Sequence, residues 1–390
     1  KFDRKNYFYA DLPKGYQISQ YDEPFAINGH IEIADRTSQI EASNTDKRQA
    51  TSDKRIRIRR VHMEEDTGKL LHQGDSSLID FNRSGVPLVE IVTEPDFESA
   101  QEVVEYLKKL QQIVRYLGVS DADMEKGNMR LEPNISLALG TSHVALGKND
   151  KRQTTSELPP YKVEVKNINS FRFVEKAIEY EIKRQTEVLN EGKTPTQETR
   201  GWDEDKQKTV SQRVKEEAND YRYFPEPDIP PIRLSKSLIS NLKSQMPELP
   251  DLKLARFIKE YNLPKYDAEI LTREKEISDY FEESVRAGKT ININPKQIAN
   301  TIINKKINIE TILPAELIRN IIESKKTQTL DEGKLEEIID KVMKENAKAA
   351  SDYKSGKENV IMFLVGQVMK ASGLKLDANT VKEKIKKVLQ

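Results

Sequence analysis

The spacing of apolar positions changes character along the chain. Over residues 1–100 it is short and alternating: Tyr7–Tyr9, Tyr16–Tyr21 and Ile31–Ile33 read as strands. Residues 34–54 are polar and aperiodic, as in a surface insertion or a hairpin tip. Arg55–Glu65 alternates with a slip. Ile56 and Ile58 keep one phase while Val61 and Met63 keep the other, so one extra residue near Arg59–Arg60 predicts a β-bulge. In the new phase Glu65 joins the inner Val61/Met63 face, and His62 and Glu64 point away. Val86–Val92 is apolar on both faces around Glu90, which predicts a central strand enclosing that carboxylate.

From about residue 99 the period becomes helical. Ala100, Val103, Val104, Leu107, Leu110, Ile113 and Leu117 form one stripe that stops at Gly118. Strands are expected at Arg130–Leu139 and Tyr161–Lys166, then a helix over Phe171–Leu189 capped by Asn167 or Ser170. An aromatic, proline-rich turn segment, Asp220–Pro231, closes this part. Antiparallel-looking strands mixed with helices give an α+β class for a first domain, 1–233. Short helices punctuated by Pro247, Pro250, Pro264, Pro295 and Pro314 predict an all-α domain at 234–325. Ser324–Lys334 reads as a linker and 335–390 as a small helical tail domain.

Composition narrows the function classes. Basic and acidic residues number 64 each, so only local asymmetry can argue for a nucleic-acid partner. Such asymmetry exists in the tail, where Lys341–Gln390 holds 11 lysines against 5 acidic residues. A solvated helical face and a phosphate-contacting face both fit it. The absence of cysteine removes disulfides, thiolate metal sites and cysteine nucleophiles. No run of eighteen apolar residues and no secretory signal is present, so no membrane association and a cytoplasmic location are expected. The chain opens at Lys1, directly in a strand pattern, and its natural N-terminus is expected to lie upstream.

The chemistry centres on Glu90. A lone buried carboxylate loses several kcal/mol of solvation unless it is paired, protonated or bound to a metal. Glu65, aimed inward after the bulge, is the partner with which it would hold Mg²⁺ through hard oxygen ligands. The competing reading is an ion pair with a buried arginine such as Arg83 or Arg130. His62 reads as a structural or surface histidine before a ligand, and Asp80–Gly85 as a turn. Tyr221–Phe224 reads as domain-edge core before a base-stacking platform. No glycine-rich phosphate loop precedes a helix, so any nucleotide is held by another mode.

Several blocks together resemble the GatB family, a component of the tRNA-dependent amidotransferase complex GatCAB. The most specific is Leu78-Ile79-Asp80-Phe81-Asn82-Arg83-Ser84-Gly85-Val86-Pro87-Leu88-Val89-Glu90-Ile91. Supporting blocks are Lys1–Tyr9, His62–Asp66, Val165–Ser170, Asp220–Asp228, Asp352–Lys357 and Leu364–Lys370. The resemblance implies an antiparallel cradle similar to glutamine synthetase. It implies a carbon–nitrogen ligase that phosphorylates the side chain of Glu-tRNA(Gln) or Asp-tRNA(Asn) with ATP. Ammonia from glutamine, hydrolysed on the GatA partner, would displace the phosphate, with GatC completing a heterotrimer. Glu65 and Glu90 match metal-binding carboxylates of the family, and Lys5 a lysine near its ammonia channel; all three are candidate catalytic residues. Lys354, Lys357 and Lys370 fall in its tRNA-contacting module. Three departures stand out: the family's opening strand with a Gly-Leu-Glu-x-His motif is absent, 34–54 is longer, and Glu132 replaces an aspartate. The alternative reading is a non-catalytic tRNA-binding scaffold. The additional inserted domain of a related archaeal type has no room here.

Overall fold

A computed structural model describes residues 1–34, 53–74, 76–137, 158–214, 221–324, 331–373 and 376–389. Most of the expected 34–54 insertion and of the 324–334 linker lies outside these residues, as do Asp220 and the end of the 130–139 segment. The chain divides into two compact units, Lys1–Leu252 and Lys253–Gln390.

The first unit is organised by a six-stranded antiparallel sheet. Its strands are β1 (Asp3–Asn6), β2 (Tyr16–Ser19), β3 (Ala26–Ala34), β4 (Asp53–Glu65), β7 (Pro87–Thr93) and β12 (Phe224–Pro225). The hairpin β5 (Lys69–Gln73) and β6 (Ser76–Asp80) stands apart. β4 is the spine, 13 residues long. One edge serves β3 and, at its end, β2, while the other edge serves β7. The predicted bulge is present, as a register shift between Ile58 and Arg60. Before it, Ile56 and Ile58 enter the core beside Ile31 and Ile33; after it, Val61 and its partner Ile91 pack against the same core. One extra residue keeps apolar side chains inward along the whole strand and turns His62 and Glu64 to the other face.

Residue spacing also sets the helices behind the sheet. Ser99 caps α1 (Ala100–Tyr116) by accepting from the Glu102 N–H, and Gly118, at φ +66°, ends it. Ser170, not Asn167, caps α2 (Phe171–Asn190). Asn167 is left-handed, and its amide donates to the Trp202 carbonyl. Both helices cover one core, with Tyr106, Leu107, Val174 and Ala177 packed among the sheet's isoleucines.

A second sheet, β8 (Asn134–Ile135), β9 (Val163–Lys166), β10 (Glu198–Asp203) and β11 (Lys208–Val214), shares that core through Val163 and Val165. Here the antiparallel expectation is corrected, because β9 and β10 run parallel. α2 lies between them in sequence and provides the crossover that a parallel pair requires. Three strand expectations also change. β8 is shorter than 130–139 because Pro133 has no N–H for a ladder. Tyr7–Tyr9 falls beyond β1, and Tyr7 instead meets Tyr221 edge-on. Among the described residues β7 is bonded to β4 alone, as an edge strand and not a central one. Apolar residues on both faces do not specify pairing: Ile91 packs inward, whereas Val89 stays 53% exposed.

Beyond residue 235 most of the prolines mark helix starts. With α3 (Lys236–Gln245) ending before them, the helices are α4 (Pro250–Tyr261), α5 (Lys265–Leu271), α6 (Lys275–Lys289), α7 (Pro295–Lys305) and α8 (Pro314–Glu323). Pro295 and Pro314 occupy first-turn positions, where a missing N–H costs nothing. Phe257, Phe281, Ile298 and Leu317 form one buried cluster. α9 (Glu332–Glu345), α10 (Ala347–Lys354), α11 (Val360–Ser372) and α12 (Ala378–Leu389) surround another, built on Ile339, Leu364, Val368 and Ile385.

One buried charge is unusually well satisfied. Glu181 on α2 is fully enclosed, with Arg184 at 2.8 Å, Arg200 at 3.1 Å, Gln185 at 3.1 Å and the Thr209 hydroxyl around it. Burial resists its charge, but hydrogen bonds from Arg184, Thr209 and Gln185 outweigh that and hold its carboxyl below the usual range. Glu181→Gln should destabilise the fold by about 3 kcal/mol at neutral pH, because the arginines lose their counter-charge. A lowered carboxylate pKa stabilises only above its unfolded value, so the wild-type advantage is lost as pH falls through the depressed one. Urea midpoints of the two proteins at pH 7 and in acid should therefore converge.

Candidate metal centre

The bulge in β4 and the register of its neighbours gather one polar constellation on the sheet face turned away from the core. Ser19 on β2 lies opposite Glu64, and His62 lies opposite Glu90 on β7. Alternation then places Ser19, Arg60, His62, Glu64 and Glu90 on one face, with Lys5 joining through its pairing with Gln17. The β7 register is pinned at its start. Asp80–Gly85 is a turn, as expected, in which the Asn82 N–H donates to Asp80 Oδ1 and Gly85 takes φ +82°. The Gly85 N–H then donates to the Asp66 carbonyl, and the Asp66 N–H to that of Val86, at 2.9 and 2.8 Å.

His62 Nε2 sits 3.2 Å from Glu64 Oε1 and 3.0 Å from Glu90 Oε2. One ligand atom from each of the three residues lies within 4.8 Å of the others. His62 is fully buried, while the Glu90 side chain, expected to be enclosed, is 48% exposed because its strand lies at the sheet edge, so the group is closed on one side and open on the other. Ser19 Oγ donates to Glu64 Oε1 at 2.7 Å. An aromatic wall shields the closed side: Tyr21 meets the His62 ring edge-on at 6.3 Å and stacks on Tyr223 at 5.5 Å.

Electrostatics follow from this packing. Burial disfavours charge on His62, but hydrogen bonds to Glu64 and Glu90 and their negative charges outweigh it and push its pKa up to about 9. The His62 hydrogen bond lowers the Glu90 carboxyl against the cost of its burial, with Lys5 and Arg60 adding to the effect. Protonation of His62 is therefore favoured where it faces the Glu64 and Glu90 side chains. Two carboxylate oxygens and one imidazole nitrogen could hold a divalent cation in place of that proton. His62 Nδ1 is buried without a partner among the described residues. It carries a proton in both states, so ligation through Nε2 leaves no additional group unsatisfied.

Two expectations are corrected. Glu65 does not join Glu90, since consecutive strand residues face opposite ways and Glu65 lies beyond the register that aligns Glu90 with His62. Its carboxylate accepts from Lys14 Nζ at 2.7 Å and from the Ile18 N–H at 3.0 Å. The alternative for Glu90, a buried arginine, also fails, because Arg83 and Arg130 both approach Asp66 instead. Glu64 is the cluster member that sequence reasoning passed over, and His62 is the one it placed as structural before a ligand. The bulge phase had already put them on one face, and the missing fact was which face Glu90 takes. Lys5 sits on the cluster's face, its ammonium 4.8 Å from the Tyr221 ring centre. Glu132 meets Lys166 at 3.3 Å on the second sheet. Lys354, Lys357 and Lys370 are exposed in the second unit, and Lys357 pairs with Asp352 at 3.0 Å.

Comparison with known proteins agrees with the blocks read from sequence. Residues 1–240 match the GatB/GatE catalytic domain and residues 292–389 the GatB domain. The chain is similar to proteins named as component B of the aspartyl/glutamyl-tRNA(Asn/Gln) amidotransferase. The relative from Thermotoga maritima is 43% identical over 437 aligned positions, covering all of this chain and 84% of its own length. Those from Thermodesulfovibrio yellowstonii and Persephonella marina are 43% and 44% identical, with the same coverage.

Mn²⁺ titrated onto the protein and followed by electron paramagnetic resonance should report the three donors. Glu64→Gln and Glu90→Gln should each weaken binding by at least ~10-fold, and Glu65→Gln should leave it unchanged.

Proposed function

The chain belongs to the GatB family of aspartyl/glutamyl-tRNA(Asn/Gln) amidotransferase components, and we propose that its His62–Glu64–Glu90 cluster is where a misacylated tRNA is activated and amidated. In this reading the side-chain carboxylate of Glu-tRNA(Gln) or Asp-tRNA(Asn) attacks the terminal phosphate of ATP, releasing ADP. Ammonia then adds to the acyl carbon and phosphate leaves, giving the amide. Ammonia comes from glutamine hydrolysed on the GatA partner, and GatC completes the heterotrimer. The observation that carries the reading is the convergence of three donor atoms from two paired strands beside an aromatic wall.

Each residue has a task in this chemistry. A carboxylate is a poor electrophile until its oxygen becomes a leaving group, and phosphoryl transfer depends on positioning and charge more than on a covalent nucleophile. Glu64 and Glu90, with His62, would hold Mg²⁺; bound there, the ion would neutralise charge on the ATP phosphates. Ser19 fixes the Glu64 carboxylate. The stacked Tyr21 and Tyr223 exclude water, which would otherwise hydrolyse the acyl phosphate and protonate ammonia. Lys5 lies on the same face, in keeping with a lysine beside the path by which ammonia arrives.

The wider assignment has the same status. The first sheet would form a cradle similar to glutamine synthetase, and the tail at 335–390 would contact tRNA through Lys354, Lys357 and Lys370. A cytoplasmic setting accords with translation, and no described helix is long and apolar enough to cross a membrane.

In the complex reconstituted with GatA and GatC, Glu90→Gln should abolish ATP-dependent amide formation while leaving tRNA affinity intact. A scaffold that only presents tRNA would show no metal-dependent phosphorylation of the aminoacyl group, so near-normal turnover in this variant would sink the proposal. Replacing Lys354, Lys357 and Lys370 together with glutamine should reduce the slope of log affinity against log salt by about 2 to 3, measured by filter binding across a salt series.

A further inference from the structure

The cations of the first sheet fall into two groups. On β4, Arg57 is neutralised by Asp96 at 2.6 Å and Arg59 by Glu94 at 2.7 Å. Arg4 pairs with Glu226 at 2.7 Å, and Lys14 with Glu65. Arg60 and Lys5 differ. Among the described residues neither side chain forms an ion pair or donates a hydrogen bond, and both rest on aromatic rings. The Arg60 guanidinium lies 4.2 Å over the Tyr21 ring, and its Nε is buried without an acceptor. That same ring abuts His62. Arg60 and His62 are two residues apart on one strand face, about 7 Å between their Cα atoms.

We propose that Arg60, with Lys5 on the same face, forms the anion subsite that receives the phosphoryl oxygens at the His62–Glu64–Glu90 cluster. This rests on the function proposed above and adds the residue that binds the transferred group. The carboxylate cluster alone would repel a phosphate; a fixed guanidinium beside it supplies the opposite charge and a planar fork of donors. Stacking on Tyr21 holds the fork without consuming its N–H groups. The buried Nε–H is a donor whose solvation has been removed and not replaced, as at a site completed by a ligand. The β-bulge is what brings Arg60 to this face, since unbroken alternation from Arg59 would have turned it into the core.

The complete protein and its Arg60→Gln, Arg60→Lys and Lys5→Met variants are titrated calorimetrically with Mn²⁺ alone, then with ATP and with inorganic phosphate at saturating Mn²⁺. Arg60→Gln should weaken ATP, inorganic phosphate or both by at least ~10-fold, with Mn²⁺ affinity retained. Whichever probe is affected identifies the source of the phosphoryl oxygens. Lys5→Met should weaken the same probe less, and Arg60→Lys should recover part of the loss. Should Arg60→Gln not fold, Arg60→Lys decides, because it keeps the charge but lacks the fork and should still bind more weakly than wild type. Unchanged affinity for both anions overturns the inference. So does an equal loss of Mn²⁺ affinity, which would mark collapse of the cluster. Failure of Mn²⁺ to bind the wild-type protein would instead defeat the metal-centre reading, leaving the anion titrations, run without metal, to judge Arg60.

Discussion

One extra residue in β4 is the constraint on which the first unit depends. A strand that must bury Ile56 and Ile58 and also Val61 cannot do so with strict alternation, because the two sets differ in phase. The register shift after Ile58 reconciles them, and its by-product is chemical. Two neighbouring arginines both reach the outer face, and His62 and Glu64 follow them there. Hydrophobic burial on one side of the sheet thus sets the geometry of the charged side, and neither can be altered without the other.

The outer face is unusual in how its charge is enclosed. His62 is as deeply buried as any core isoleucine, yet it lies on the polar side of the sheet. Tyr21 packs edge-on against it, with Tyr223 and Tyr221 next in line, and these rings carry apolar faces for packing and hydroxyls that tolerate water at the rim. Burial by aromatic rings lowers the local dielectric without supplying competing ligands, which strengthens every interaction among the imidazole, carboxylates and cations beneath them.

Much of this was legible in the residues. The bulge, both long helices and the Asp80–Gly85 turn follow from spacing and cap chemistry, and the family follows from several blocks in order. The cluster itself was half legible. His62 and Glu64 share a phase in the sequence, but Glu90 belongs to another strand, and cross-strand register is set by the Gly85–Asp66 and Asp66–Val86 hydrogen bonds, which no periodicity reveals. The same gap explains the mistaken choice of Glu65. It sits at the end of β4, where its inward direction meets Lys14 and the Ile18 amide instead of core. The edge position of β7 was equally hidden, because a strand apolar on both faces can be covered by side chains without being paired on both sides.

That edge position carries a thermodynamic consequence. Among the described residues Glu90 rides on a strand secured by hydrogen bonds along one side only. Segments with a free backbone edge open at lower free energy than the core they adjoin. Any group that gains an additional ligand from β7, and any backbone that adds to its open side, stabilise the same ordered state of one strand. By reciprocity each would then raise the affinity of the other by the same factor, so a cation held at Glu90 and a backbone added to β7 would be coupled.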